Sequence, residues 1–271
     1  MKNFSKQLIK QLFKSFGLEV RLQPSNEQKN TIPRTSFQGC LQNGIENGLN
    51  PQTVIDVGVA TGTPELYKAF PDAFHLLIEP LRENLPYLEQ WQKELKHCEY
   101  RLAVASNQVG ETLINVHSDL VGSSLYKETE GASVDGNERT VRAVTLDTVC
   151  KNLNLSEPYL IKIDTQGSEI DVLEGATHIL PKTQFVILEV SFFEFFQGAP
   201  TTWDYFEFMK QRSFVIYDIF DISYRLLDGA MSQVNMAFVQ KDSIFRQVHS
   251  YASPEQRQAQ NERILNQEYS P

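Results

Sequence analysis

The sequence predicts an α/β protein organised on a doubly wound, mostly parallel β-sheet, and three observations carry that prediction. Short, nearly continuous apolar runs recur along the chain, as expected of strands buried on both faces. Segments with helical spacing separate them, which parallel neighbours require as crossovers. The first run, Val54-Ile-Asp-Val-Gly-Val-Ala-Thr-Gly62, breaks into two glycines, the pattern of a strand that ends in a tight turn. With 271 residues and 41% hydrophobic side chains, the chain can bury one substantial core.

Taken in order, Phe4, Leu8, Ile9, Leu12, Phe13 and Phe16 fall on one helical face, with Lys2, Lys6, Lys10 and Lys14 on another. This amphipathic N-terminal helix is expected to pack on the main domain or on a second subunit of a homodimer. Peripheral membrane contact is the alternative. Residues 23–36 read as a polar linker, and Leu41–Leu49 as a short helix before Pro51. Strands are expected at Thr53–Val57, His75–Glu79, Tyr100–Ala105, Tyr159–Asp164, Phe185–Val190, Phe214–Phe220 and Met236–Gln240. Helices are expected from Pro64 to Phe70, from Leu85 to Lys96, from Ser168 to about Leu180, and from Asp204 to Arg212. Thr112–Val116 and Arg139–Val144 alternate as half-exposed strands do, and the polar segment from Gly122 to Gly136 between them suits a mobile lid. The last two strands suit a reversed hairpin at the sheet edge. After Lys241 the chain turns polar and Gln-rich, as a surface helix or tail would. The expected organisation is an N-terminal arm over 1–50, a main domain over 51–241 and a tail over 242–271.

A formal charge of −9 argues against a general nucleic-acid partner, whose phosphates call for excess Lys and Arg. Cys40, Cys98 and Cys150 lie far apart, without zinc-type spacing, so no metal site is expected. No apolar run reaches membrane-span length and no secretion segment is visible, so a soluble, cytoplasmic protein is expected.

Ligands of such sheets sit at the carboxyl ends of the strands. Asp56, Glu79 and Asp164 stand at or near such ends, with Glu189 late in the next strand. Carboxylates in apolar strands are either paired or functional. Lys162 shares a strand face with Asp164 and is the natural partner for Asp56 or Glu189. Glu79, ending the second strand, suits the hydroxyls of a ribose. The turn Gly58-Val59-Ala60-Thr61-Gly62 lacks the third glycine of a dinucleotide loop and the lysine of a P-loop, so it suits a nucleoside without phosphates. S-adenosylmethionine is the commonest such cofactor.

These residues resemble the FkbM-type S-adenosylmethionine-dependent methyltransferases over about residues 52–240. The likeness rests on Val54–Gly58, Ile78-Glu79-Pro80, Gly122-Ser-Ser-Leu125, Val144-Thr-Leu-Asp147 and, most specifically, Ile161-Lys-Ile-Asp-Thr-Gln-Gly-Ser-Glu-Ile170 with Gly175. Two departures stand out: Val59-Ala60 where Ala-Asn is usual, and Gln166 where Glu is frequent. The resemblance implies a seven-stranded, Rossmann-like class I methyltransferase fold. It implies that Asp56, Gly58, Ala60, Gly62 and Asp164 hold the methionine part, Glu79 the ribose, and Ala105, Ser106 or Asn107 the adenine. It also implies O-methylation of a saccharide, glycolipid or natural product; the hydroxyl must lose its proton, and Asp164 or His117 is the candidate general base. Cofactor binding or an ion pair competes for Asp164, and an ordinary strand position for His117. Methylation of nitrogen, or a binding module that has lost turnover, are the competing functions. Ser191-Phe-Phe-Glu-Phe-Phe196 is expected to border the acceptor or to pack in the core.

Overall fold

The computed structural model describes residues 32–131 and 134–268. The chain divides into a unit Met1–Pro33 and a larger unit Arg34–Pro271, which carries the sheets and the cavity. The expected N-terminal amphipathic helix lies outside the described residues.

The main sheet contains seven strands: β1 (Thr53–Val57), β2 (Phe74–Glu79), β3 (Cys98–Leu102), β7 (Tyr159–Ile163), β8 (Thr183–Ser191), β9 (Phe214–Tyr224) and β10 (Met231–Gln240). Their spatial order is β3-β2-β1-β7-β8-β10-β9. Neighbours from β3 through β8 pair in parallel, while β10 pairs antiparallel with both β8 and β9. Strand order reverses between β1 and β7, which opens a crevice at their carboxyl ends. The expected doubly wound sheet with a reversed edge hairpin is therefore present.

The helices divide between two faces because the strands are apolar on both. One face buries Ile55, Val57, Ile161, Ile163, Val186 and Leu188 against α4 (Leu146–Leu153), α5 (Glu169–Glu174) and α6 (Thr202–Gln211). The other buries Val54, Leu77, Leu160, Phe185 and Ile187 against α1 (Phe37–Glu46) and α2 (Pro64–Ala69). A further helix, α3 (Leu85–Glu94), follows β2 and sets Leu88 in that second cluster.

Three expectations shift. Helix α1 begins at Phe37, not Leu41, because Ser36 caps it by accepting from Gly39 N, and it buries Cys40 and Leu41 in the main unit. The expected third strand divides after Leu102, and Val104–Ala105 (β4) joins a second sheet, β4-β6-β5, with β5 at Gly110–Val116 and β6 at Asn137–Val144. Glu79 O accepts from Ala103 N at 3.1 Å, which hinges the two sheets together. The helix expected to reach about Leu180 ends at Glu174. Gly175 lies so close to Ser106 O that an added Cβ would stand 2.1 Å from it, and the chain must turn there.

Past Lys241 the chain first returns to the core. Phe245 stacks edge-on against Phe185 at 5.1 Å and against Tyr217 at 5.5 Å, before the exposed helix α7 (Pro254–Glu268). Phe185 is fully buried at this junction. Replacing Phe185 with Ala is expected to cost about 3–5 kcal/mol, read as a lowered midpoint in urea unfolding.

Candidate functional site

A cleft opens at the carboxyl ends of β1, β2 and β7. Gly58, Ala60, Glu79, Ala105 and Asp164 all line it, as do Ile114, Leu125 and Gln166. Five of the expected site residues thus meet at one place. The second sheet supplies much of the apolar wall, so β4 and β5 act as a partition and not as an appendage.

Glu79 holds the β1 turn. Its Oε2 accepts from Ala60 N at 2.9 Å, and its Oε1 from Leu81 N at 2.9 Å and from Asn84 Nδ2 at 3.1 Å. A carboxylate offers about four acceptor positions, so about one remains for a ligand hydroxyl. Ala60 occupies the left-handed region at φ 46°, which an L side chain adopts at a cost of about 1–2 kcal/mol. The usual Asn tolerates that conformation better than Ala does.

The two glycines of the turn serve the chain's own packing. A Cβ on Gly58 would stand 1.7 Å from Asp164 O, and one on Gly62 would stand 2.0 Å from Trp91 Nε1. Protein atoms thus fill the space beside each of these glycines. Gly62 does not line the cleft.

Asp56 does not line it either. It is fully buried, accepts from Tyr67 Oη at 2.6 Å, and pairs with Lys162 Nζ at 3.2 Å. Strand register explains the pairing, since Asp56 lies directly opposite Lys162 across β1 and β7. Lys162 also donates to Gly58 O at 3.1 Å and faces Asp164 at 3.7 Å. Burial lowers its pKa, but Asp56 and Asp164 outweigh that and hold the ammonium above its ordinary value.

Ser106 is buried beside the cleft, its N–H committed to Val144 O at 2.9 Å. His117 does not line the cleft itself, but its backbone N–H donates to Ser123 Oγ at 3.0 Å and Ser123 does; its Nδ1 lies 3.0 Å from Asp119 Oδ1. Sequence reasoning left Gln166 as a departure only. Its Nε2 bridges Asp164 Oδ1 at 3.0 Å and Glu189 Oε2 at 2.9 Å. Gln233 Nε2 donates to the same Glu189 Oε2 at 2.9 Å. The signal for Glu189 and Gln233 was strand parity on neighbouring strands, which needs the β8–β10 register to become visible.

Glu169 shapes the loop that carries these groups. Its buried Oε1 accepts from Thr165 N at 2.9 Å and Gly167 N at 3.2 Å, while Oε2 receives a short hydrogen bond from Tyr205 Oη. The expected lid is partly stitched down. Ser124 Oγ donates to Gln166 O at 2.6 Å, and Glu128 bridges to Phe196. Phe196 is itself buried beside Gly167, whereas Phe192 is exposed. Among the described residues no helix is long and apolar enough to cross a membrane, and no three His, Cys, Asp or Glu side chains group as a metal site.

A doubly wound sheet in the order β3-β2-β1-β7-β8-β10-β9, with its cleft at the strand-order reversal, fits the class I methyltransferase architecture. Residues 56–216 match the methyltransferase FkbM domain, so the chain belongs to that family of methyltransferases. The hexuronic acid methyltransferase AglP of Haloferax volcanii is 31% identical over 62 residues, which cover 23% of this chain and 26% of that protein. The chain thus spans about a quarter of the curated relative it matches. Among solved structures, precorrin-6y C5,15-methyltransferase from Geobacter metallireducens is 10% identical with a TM-score of 0.43, covering 78% of this chain and 92% of that one. Magnesium protoporphyrin IX methyltransferase from Synechocystis, with bound SAM, is 12% identical with a TM-score of 0.42, covering 87% and 96%.

Replacing Lys162 with Met is expected to destabilise the protein by about 3–5 kcal/mol, because two carboxylates lose their buried counter-charge. Chemical denaturation at neutral pH measures it.

Proposed function

We propose that the chain transfers the methyl group of S-adenosylmethionine to a hydroxyl of a saccharide or similarly polar acceptor. The observation that carries this reading is a cleft with an apolar wall and two carboxylates, Glu79 and Asp164, on its lining. Those features fit a cationic nucleoside. The apolar side chains of Ala105, Ile114 and Leu125 suit adenine, the remaining acceptor position of Glu79 suits a ribose hydroxyl, and Asp164 suits the ammonium of the methionine part. When bound, the cofactor supplies an electrophilic methyl on a sulfonium. The chain contributes alignment and exclusion of water, mainly through the cleft walls and the loop Thr165–Ser168.

Support for a saccharide comes from the name of the matched relative and from the polar cluster Gln166, Glu189 and Gln233 beside an aromatic segment. Amides and carboxylates side by side suit vicinal hydroxyls.

Calorimetry with S-adenosylmethionine should show saturable binding, and absence of binding would remove the methyl-donor reading. Glu79→Gln exchanges a charged acceptor for a neutral one and should weaken that binding by about 10–100-fold. Asp164→Asn should also weaken it, with the unfolding midpoint read alongside to separate binding from stability.

A further inference from the structure

Glu189 is a buried-strand carboxylate with an uneven set of partners. Residues Leu188 and Val190 on either side are fully buried, whereas Glu189 retains partial exposure. Both amides that reach it, Gln166 Nε2 and Gln233 Nε2, donate to Oε2 at 2.9 Å. Among the described residues nothing donates to Oε1. One oxygen is thus clamped from two strands' worth of structure, and the other is left for a ligand.

Its location agrees with that division. Ile163 pairs with Leu188, so Asp164 and Glu189 are the next residues on adjacent parallel strands. Gln166 Nε2 lies 3.0 Å from Asp164 Oδ1 and 2.9 Å from Glu189 Oε2, so those two oxygens stand no more than about 6 Å apart. Asp164 lines the cofactor cleft, so Glu189 stands one strand further along, towards Phe192 and Phe193.

We propose that Glu189, held by Gln166 and Gln233, is the base that accepts the proton of the acceptor hydroxyl; this rests on the methyltransferase reading above. The hydroxyl oxygen's lone pair forms the new O–CH3 bond, and the S–CH3 bond breaks with its electron pair staying on sulfur. The hydroxyl proton passes to Glu189 Oε1 and then to solvent. Asp164 faces Lys162 and accepts from Gln166, and its remaining acceptor positions are the ones assigned above to the ammonium of the methionine part.

The charged and titratable groups around Glu189 are Lys162 on β7, Asp164 just after it, Glu169 on α5 and Tyr205 on α6. Burial first, then Asp164 and Glu169, push its carboxyl up to about 8, against the smaller pull of Gln166 and Lys162. A proton acceptor with a pKa near working pH is well matched to its task. The folded-state pKa lies above the unfolded one, so folding favours the protonated form. Stability from this group therefore falls as pH rises from about 4.5 through about 8.

The test uses the full chain, with Glu189→Gln and Glu189→Asp as variants. Unfolding midpoints across pH 5 to 9 come first: wild type should lose stability relative to E189Q as pH rises, and a flat difference would overturn the proposal. Methyl transfer from labelled S-adenosylmethionine to the methyl glycoside of glucuronic acid comes second. E189Q should lose about 100-fold or more in kcat, with affinity for S-adenosylhomocysteine unchanged and partial activity in E189D. E189Q turnover equal to wild type would overturn the base assignment. Failure of wild type to bind S-adenosylhomocysteine would instead sink the methyl-donor reading, and the pH arm would still decide the ionisation of Glu189.

Discussion

The Lys162 ammonium is the constraint on which the carboxyl edge of the sheet depends. It is buried among Asp56, Asp164 and the Gly58 carbonyl, and so ties the glycine turn after β1 to the strand end of β7. Such a charge is costly to desolvate and is tolerated only with close partners of opposite sign. Tyr67 extends the arrangement on one side by donating to Asp56, and Gln166 extends it on the other by bridging Asp164 and Glu189. Donors and acceptors therefore alternate across four strands, from the inside of α2 to Gln233 on β10.

That ladder separates two kinds of carboxylate that look alike in sequence. Asp56 sits wholly inside and serves the fold. Asp164 lines the cleft, and Glu189, one strand further along, is only partly buried. Glu79 does both, since it fixes the turn through Ala60 N while lining the cleft.

Much of the fold was legible because the relevant signals are local. Apolar runs, their spacing and the glycine break after Val57 are enough to foretell a doubly wound sheet with a crevice at β1. The split after Leu102 was not legible, because Val104-Ala105 is as apolar as the strand before it and only the pairing with Ala143-Val144 draws it away. Within the site, Gly58, Ala60, Glu79, Ala105 and Asp164 converge on the cleft, and all but Ala105 belong to a short motif. Asp56 and Gly62 belong to the first of those motifs yet do not line the cleft, and neither do Ser106 and His117. Side-chain direction at a strand end depends on register and turn geometry, which spacing alone does not encode. Gln166 shows the reverse: a residue noticed for what it lacked turns out to be the bridge between two carboxylates.

The contacts of Ser124 with Gln166 and of Glu128 with Phe196 join two segments that the sequence keeps apart. The segment after β5 and the aromatic segment after β8 are distant in sequence but are seamed together over the loop that holds Gln166 and Gly167. Neither can change shape alone without opening that seam. Swapping the aromatic segment between relatives is thus a two-part graft, and the partner piece comes from the second sheet.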